Sequence, residues 1–214
     1  LMGDWLYMSA FETSLAERSL QVLDILTAVT RRMTEGELLQ LTLLGRADIT
    51  EDQYFDILLR KTAYLFSACC EIGAILGSGD ETLQRALRDY GLNLGAAFQL
   101  VDDLLDFTAT DDALGKAAGV DLLEGKVTLP IICLLERAPA LRTEVQAVMR
   151  AGNYEQVSRA ALLKAAEQNG ALEQARASAV EYAGAACRAL DVLPESDYRD
   201  ALRALPTFIL ERES

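Results

Sequence analysis

A chain of 214 residues that is 51% hydrophobic and 25% charged is long enough to bury one substantial core, and its composition excludes a disordered protein. With 33 acidic residues against 20 basic, the net charge of −13 repels nucleic acid and anionic lipid surfaces, which excludes generic binding to either and is compatible with divalent cations. No apolar run approaches the roughly 20 residues needed to span a bilayer, and the four cysteines, with Cys69 and Cys70 adjacent in apolar surroundings, read as buried reduced thiols of a cytoplasmic protein.

Strand signals are nearly absent, and proline is confined to Pro130, Pro139, Pro194 and Pro206, so the prediction is an all-α fold rich in good helix formers. The chain opens on Leu1-Met2-Gly3-Asp4-Trp5, already in an apolar helical pattern, and we expect an upstream segment before it. The first helix is predicted over 4–30 and a second over 34–45. A third, over 50–77, is apolar on two sides: Ala63, Phe66, Cys70 and Gly73 form one stripe, and Leu65, Cys69, Ile72 and Leu76 another. Such a helix belongs in the middle of the fold. It also carries Lys61-Thr62, and there the ammonium either meets an anion or snorkels to the surface.

A fourth helix, over 80–107, is capped by Asp80. After it comes the one long loop, 108–127. Thr128 stands before a helix over 128–137, whose early Pro130 needs no amide partner. Further helices are predicted over 140–151, 154–169, 171–191 and 196–212, punctuated by Gly152 and Gly170. With no linker, low-complexity tract or internal repeat, 1–214 reads as one domain.

The chemistry is concentrated in the fourth helix, which ends Gly95-Ala-Ala-Phe98-Gln99-Leu-Val-Asp102-Asp103-Leu-Leu-Asp106-Phe107. At roughly 100° per residue, Gly95, Gln99, Asp102, Asp103 and Asp106 fall within about a 100° arc of one face. Like charges at this spacing repel unless a cation sits among them. Magnesium, a hard ion, takes one or two carboxylates together with water and substrate phosphate. The competing reading is a solvated acidic face. The long loop weighs against it, because Gly115-Lys116, Gly119, Asp121 and Glu124-Gly125-Lys126 bring lysines and close-approach backbone near the carboxylates. Taken singly, Lys116 and Lys126 read as solvated loop lysines; taken together with the carboxylates, that reading weakens.

Several motifs together resemble the trans-isoprenyl diphosphate synthases, in particular the longer-chain polyprenyl (octaprenyl or solanesyl) type. They are Phe98-Gln99 before Asp102-Asp103-x-x-Asp106, the Gly115-Lys116 pair, Asp121-x-x-Glu124-Gly125-Lys126-x-Thr128-Leu129-Pro130, and Arg60-Lys61-Thr62-Ala63. Gly3-Asp4, Glu35-Gly36-Glu37 with Gln40, Leu193-Pro194 and Leu205-Pro206 extend the likeness over nearly the whole chain.

The resemblance implies the isoprenoid synthase fold, an antiparallel helical bundle around a central cavity. It implies a homodimeric, cytoplasmic prenyltransferase that ionises an allylic diphosphate and adds isopentenyl diphosphate, its greasy product leaving for the membrane. Asp102, Asp103 and Asp106 would hold Mg2+. Lys61, Lys116 and Lys126 would contact diphosphate oxygens, while Thr62 and Gln99 would offer oxygen dipoles to the carbocation. Trp5, Met8, Phe11 and Leu23 are candidates for the floor of a product tunnel. The family's first aspartate-rich motif and the arginine pair after it do not occur in these 214 residues, so we expect this chain to be the C-terminal two-thirds of the family domain. A non-catalytic partner subunit and a terpene cyclase of the same architecture are the competing functions.

Overall fold

A computed structural model of the chain describes residues 1–108 and 118–212, which contain helices and turns and no strand. In chain order the helices are α1 Met2–Ala16, α2 Leu20–Leu43, α3 Glu51–Leu58, a π-helical turn Leu59–Ala63, α4 Tyr64–Leu76, α5 Glu81–Thr108, α6 Val120–Leu123, α7 Leu129–Arg137, α8 Arg142–Ala151, α9 Arg159–Gln168, α10 Ala171–Ala189 and α11 Asp197–Glu211. Short 3-10 turns, Pro139–Leu141 and Leu190–Val192, precede α8 and follow α10.

Local chemistry sets many of these ends. Thr50 and Gln53 form a reciprocal capping box at the start of α3. The Leu83 amide donates to the Asp80 carboxylate at 2.9 Å, the cap expected for α5. Gly152 and Gly170 adopt left-handed φ of 63° and 66° and terminate α8 and α9.

Elsewhere the boundaries differ from expectation. The span 4–30 is broken at Glu17–Ser19, where Arg18 takes φ 52° and the Ser19 hydroxyl caps α2. Through 31–33, between the two helices expected from sequence, α2 runs on. The Thr30 and Thr34 hydroxyls bond back to the carbonyls of Leu26 and Thr30 at 2.8 and 3.1 Å, so their polar groups are satisfied within the helix. The helix expected over 154–169 starts at Arg159, capped by Ser158. The long loop contains the single turn of helix α6.

Helix α5 is the axis of the fold, buried at Tyr90, Leu94, Ala96, Ala97, Leu100, Val101, Leu104 and Phe107. Its most extensive neighbours are α4 and α10. Small residues make both approaches close. A Cβ at Gly95 would lie 2.8 Å from the Ala63 Cα, and one at Gly91 would strike the Phe66 carbonyl oxygen and stand 2.8 Å from the Ser67 Cα. On the other flank α10 buries the stripe Ala175, Ala179, Ala183 and Ala186. Held on both sides, α5 carries its acidic end into the interior.

Three expectations need correction. The second apolar stripe of α4 is largely open, with Leu65 37% and Leu76 52% exposed, because α4 packs on α5 and α2 and this stripe faces neither. The cysteines are free, but only Cys133 is fully buried and Cys69 is exposed. Trp5 and Met8, candidates for a tunnel floor, are 64% and 62% exposed on α1, a helix with no buried residue.

The α4–α5 contact yields a paired prediction. Gly91→Ala should destabilise the fold by about 1–3 kcal/mol, since the clash is with backbone and overpacking outweighs the gain in helix propensity. Gly73→Ala, whose Cβ meets nothing within 4 Å, should instead stabilise by up to about 1 kcal/mol. Urea denaturation midpoints report both, and equal shifts would contradict the packing.

Candidate active site

The end of α2, the α3–π segment, the acidic half of α5 and the turn after α6 enclose a cavity of about 130 Å³. Gln40, Tyr54, Lys61, Thr62, Gln99, Asp103, Asp121, Lys126 and Thr128 are among its lining residues. Backbone joins two of its walls: the Gly45 amide donates to the Gly125 carbonyl at 2.8 Å, and Gly125 holds φ 82°. A side chain there would be strained and would press on Gly45 at 3.0 Å.

The π turn delivers Lys61 and Thr62. Its wider spiral bulges toward α2, where Gly36 makes room: a Cβ on Gly36 would lie 2.7 Å from the Arg60 Cβ and 3.1 Å from the Lys61 Cγ. The Lys61 stem therefore crosses α2 at Gly36, and its ammonium meets Glu37 at 2.8 Å and the Gln40 amide oxygen. At 30% side-chain exposure Lys61 is neither deeply buried nor free in solvent; it meets an anion at the cavity wall.

Thr62 begins a directed hydrogen-bond chain. Its hydroxyl donates to Gln99 Oε1 at 2.9 Å, Gln99 Nε2 donates to Asp103 Oδ1 at 2.8 Å, and the Tyr54 hydroxyl donates to Asp103 Oδ2 at 2.6 Å. Both Asp103 oxygens thus have partners, yet the residue is only 6% exposed. Burial pushes its carboxyl from 3.8 up to about 7, against the opposing pull of the Tyr54 and Gln99 hydrogen bonds. The Tyr54 phenol is raised well above 10, by burial first and then by the Asp103 charge.

The three predicted carboxylates share one helix face but have three environments. Asp103 lines the cavity. The Asp102 side chain is 49% exposed and lies 3.8 Å from Arg212, whose guanidinium sits 5.4 Å from the Phe98 ring centroid. Asp106 is 8% exposed and accepts the Asp121 amide at 3.1 Å, tying α5 to α6. Among the described residues no group of three or more acidic, cysteine or histidine side chains stands arranged to hold one ion. The donor chemistry nevertheless suits a hard cation: Asp102, Asp103, Asp106 and Asp121 supply oxygen only, and a buried carboxylate held near neutrality gains from a positive ion beside it.

Lys126 lies across the cavity's acidic turn, 3.2 Å from Asp121 and 2.6 Å from Glu124. Burial lowers its pKa, but the hydrogen bond to Glu124 and the Asp121 charge outweigh that, and the net shift is upward. Gly115 and Lys116 lie outside the described residues. Tyr54 and the lysine-holding role of Glu37 and Gln40 do not emerge from the sequence. A signal for Tyr54 exists: it stands seven residues before Lys61, two turns along the same face, and a tyrosine buried there must find a partner for its hydroxyl.

Because the Asp103 carboxyl is raised in the fold, its contribution to stability is complete below about 3.8 and drains as pH climbs to about 7. In ligand-free protein, the unfolding free energy of the native chain relative to Asp103→Asn should therefore fall between these values and level off above them. Urea titrations across pH measure it, and a pH-independent difference would contradict the assignment.

The polyprenyl synthetase family model matches residues 1–166. Octaprenyl diphosphate synthase of Escherichia coli (strain K12) is 38% identical over 218 residues, covering 100% of this chain and 66% of that protein. Solanesyl diphosphate synthase 1, chloroplastic, of Arabidopsis thaliana is 33% identical over 99% of this chain and 51% of its own length. Among solved structures, a decaprenyl diphosphate synthase from Rhodobacter capsulatus superposes with a TM-score of 0.91 at 35% identity, covering 99% of this chain and 66% of that one. A polyprenyl synthase from Caulobacter crescentus CB15, complexed with calcium and isoprenyl diphosphate, gives 0.91 at 37% identity over 99% of this chain and 65% of that one. The fold is accordingly the all-α isoprenoid synthase fold. The chain spans 66% of the length of the octaprenyl synthase it matches. Sequence, helical architecture and the carboxylate-and-lysine cavity agree: this chain belongs to the polyprenyl synthetase family.

Proposed function

We propose that the protein is a chain-elongating prenyltransferase that condenses an allylic prenyl diphosphate with isopentenyl diphosphate to make a long-chain polyprenyl diphosphate. The observation that carries this reading is the meeting of Lys61, Lys126, Thr62, Gln99 and Asp103 on one cavity, with anion-binding and cation-binding groups on facing elements. The synthase names of the relatives weigh against a cyclase and against a non-catalytic partner.

In this reading Asp102, Asp103 and Asp106 would hold Mg2+, which would supply positive charge to a departing diphosphate. Lys61 and Lys126 exchange their present carboxylate partners for diphosphate oxygens, with Lys116 as a third cation. The allylic C–O bond breaks and its electron pair leaves with the diphosphate. The double bond of isopentenyl diphosphate then forms the new C–C bond, and the proton lost from that carbon skeleton goes to the released diphosphate. This proton transfer calls on no histidine, and these 214 residues contain none. Oxygen dipoles of Thr62 and Gln99 face the developing positive charge, and their mutual hydrogen bond fixes them before substrate arrives.

Residues 1–214 are, on this reading, the C-terminal two-thirds of one such domain. The protein works in the cytoplasm as a homodimer, with peripheral membrane contact for product release. Met2, Trp5, Leu6 and Met8 on α1, at 57–71% exposure, support self-association. Among the described residues no helix is long and apolar enough to cross a membrane.

Full-length protein given radiolabelled isopentenyl diphosphate and farnesyl diphosphate should form Mg2+-dependent polyprenyl diphosphate; no incorporation would contradict the reading. Asp102→Ala should lower turnover roughly 10²-fold or more while leaving the fold intact, since Asp102 is half exposed. Lys61→Ala should weaken pyrophosphate binding about 10- to 100-fold, the loss of one charge-assisted contact. Isothermal calorimetry reads the latter, and native affinity would remove Lys61 from the diphosphate site.

A further inference from the structure

The Tyr54 hydroxyl has no part in the chemistry above, yet it occupies a decisive position. Tyr54 is 7% exposed, and its hydroxyl reaches Asp103 Oδ2 from a different helix, 49 residues away in sequence, at 2.6 Å. Its ring is held edge-on to Phe55, centroids 5.3 Å apart, and the buried Leu58 stands one turn further along the same helix. A tyrosine has few torsions to freeze, so a ring packed this way presents its oxygen at a fixed point.

A carboxylate held by one donor can pivot about its Cβ–Cγ bond. Asp103 has two donors on two different oxygens, Tyr54 from α3 and Gln99 from α5 itself. Of these two donors only Tyr54 belongs to another helix, and among the described residues it ties the carboxylate plane to the cavity wall rather than to its own backbone. The effect reaches the next two groups in the chain. Because Asp103 accepts from Gln99 Nε2, the amide oxygen of Gln99 must turn the other way, where it accepts the Thr62 hydroxyl at 2.9 Å. The phenolic hydroxyl thus stands at one end of a hydrogen-bond chain that links three cavity groups on two elements.

We propose that Tyr54 is a positioning residue of the prenyl-transfer site: acting through Asp103, it sets the carboxylate that faces the metal–diphosphate and the direction of the Gln99 and Thr62 oxygens. This role rests on the prenyltransferase function proposed for the cavity. A purely structural hydrogen bond would affect stability alone, whereas a positioning bond alters ligand binding and turnover in a folded protein.

Tyr54→Phe removes one oxygen and keeps the packed ring. The variant should fold, lose about tenfold or more in kcat, and keep its KM for isopentenyl diphosphate within about twofold. Calorimetry with MgCl2 and inorganic pyrophosphate should show affinity weakened several-fold, and the Tyr54→Phe loss should vanish in an Asp103→Asn background. Native kcat and pyrophosphate affinity in a folded Tyr54→Phe protein would overturn the proposal, as would an equal loss in both backgrounds. If the native protein incorporates no isopentenyl diphosphate, the function beneath this proposal falls with it; if Asp103→Asn keeps native turnover, or only Tyr54→Phe is silent, the proposal falls and the function stands. Should Tyr54→Phe not fold, 3-fluorotyrosine at position 54 preserves the donor. Its 19F resonance should move on titration with Mg2+ and pyrophosphate, and an unmoved resonance at saturation would overturn the proposal.

Discussion

A carboxylate withdrawn from water must be held by donors or by a cation, and the burial of Asp103 is the constraint that organises the site. The desolvation that raises its carboxyl to about 7 is opposed by two hydrogen bonds. The Gln99 bond lies within α5, while the Tyr54 bond, and the Thr62 bond to Gln99 behind it, join α3 and the π turn to α5. Gly91 and Gly95 admit α4 to α5, and Gly36 admits the π turn to α2. The glycines sit away from the chemistry and yet determine whether the carboxylate, the amide and the ammonium can share one cavity.

The charges of the cavity are balanced internally. Lys61 rests on Glu37 and Gln40, Lys126 on Asp121 and Glu124, and Asp102 faces Arg212. Each pair is partly exposed, so each is weak and can be exchanged for a more highly charged anion and its counter-ion at little cost. A metal-bound diphosphate offers lysines more negative charge than a single carboxylate and offers the aspartates a doubly charged partner. On the proposed function, a chain of net charge −13 would hold an anionic substrate through ions and a few placed lysines rather than through a basic surface.

Much of the acidic site is legible in the sequence because it is local. Asp102, Asp103 and Asp106 lie on one helical face by spacing alone, and Asp80 announces the start of that helix. What spacing does not show is which of the three carboxylates is buried: Asp103 and Asp106 are, Asp102 is not, a difference made by the neighbours α3, α6 and α11. The π turn at Lys61 leaves no signature in composition, since Leu-Arg-Lys-Thr-Ala is ordinary helix material; Gly36, 25 residues before Lys61, leaves it the room it occupies. Arg18 in a left-handed conformation defies propensity for a similar reason, with the cap at Ser19 terminating what reads as one long helix. The second apolar stripe of α4 reads as core because apolarity marks burial in some assembly, without saying against which partner.

If these carboxylates and lysines converge on one metal-bridged diphosphate, crystals of the full-length protein grown with inorganic pyrophosphate and Mn2+, a spectroscopic stand-in for Mg2+, will reveal it by anomalous diffraction. Manganese should be coordinated by carboxylate oxygens of the Asp102–Asp106 face and by pyrophosphate, with the Lys61 ammonium released from Glu37 onto a phosphate oxygen. Manganese and pyrophosphate bound away from that face, with Lys61 still on Glu37 and Gln40, would contradict this convergence.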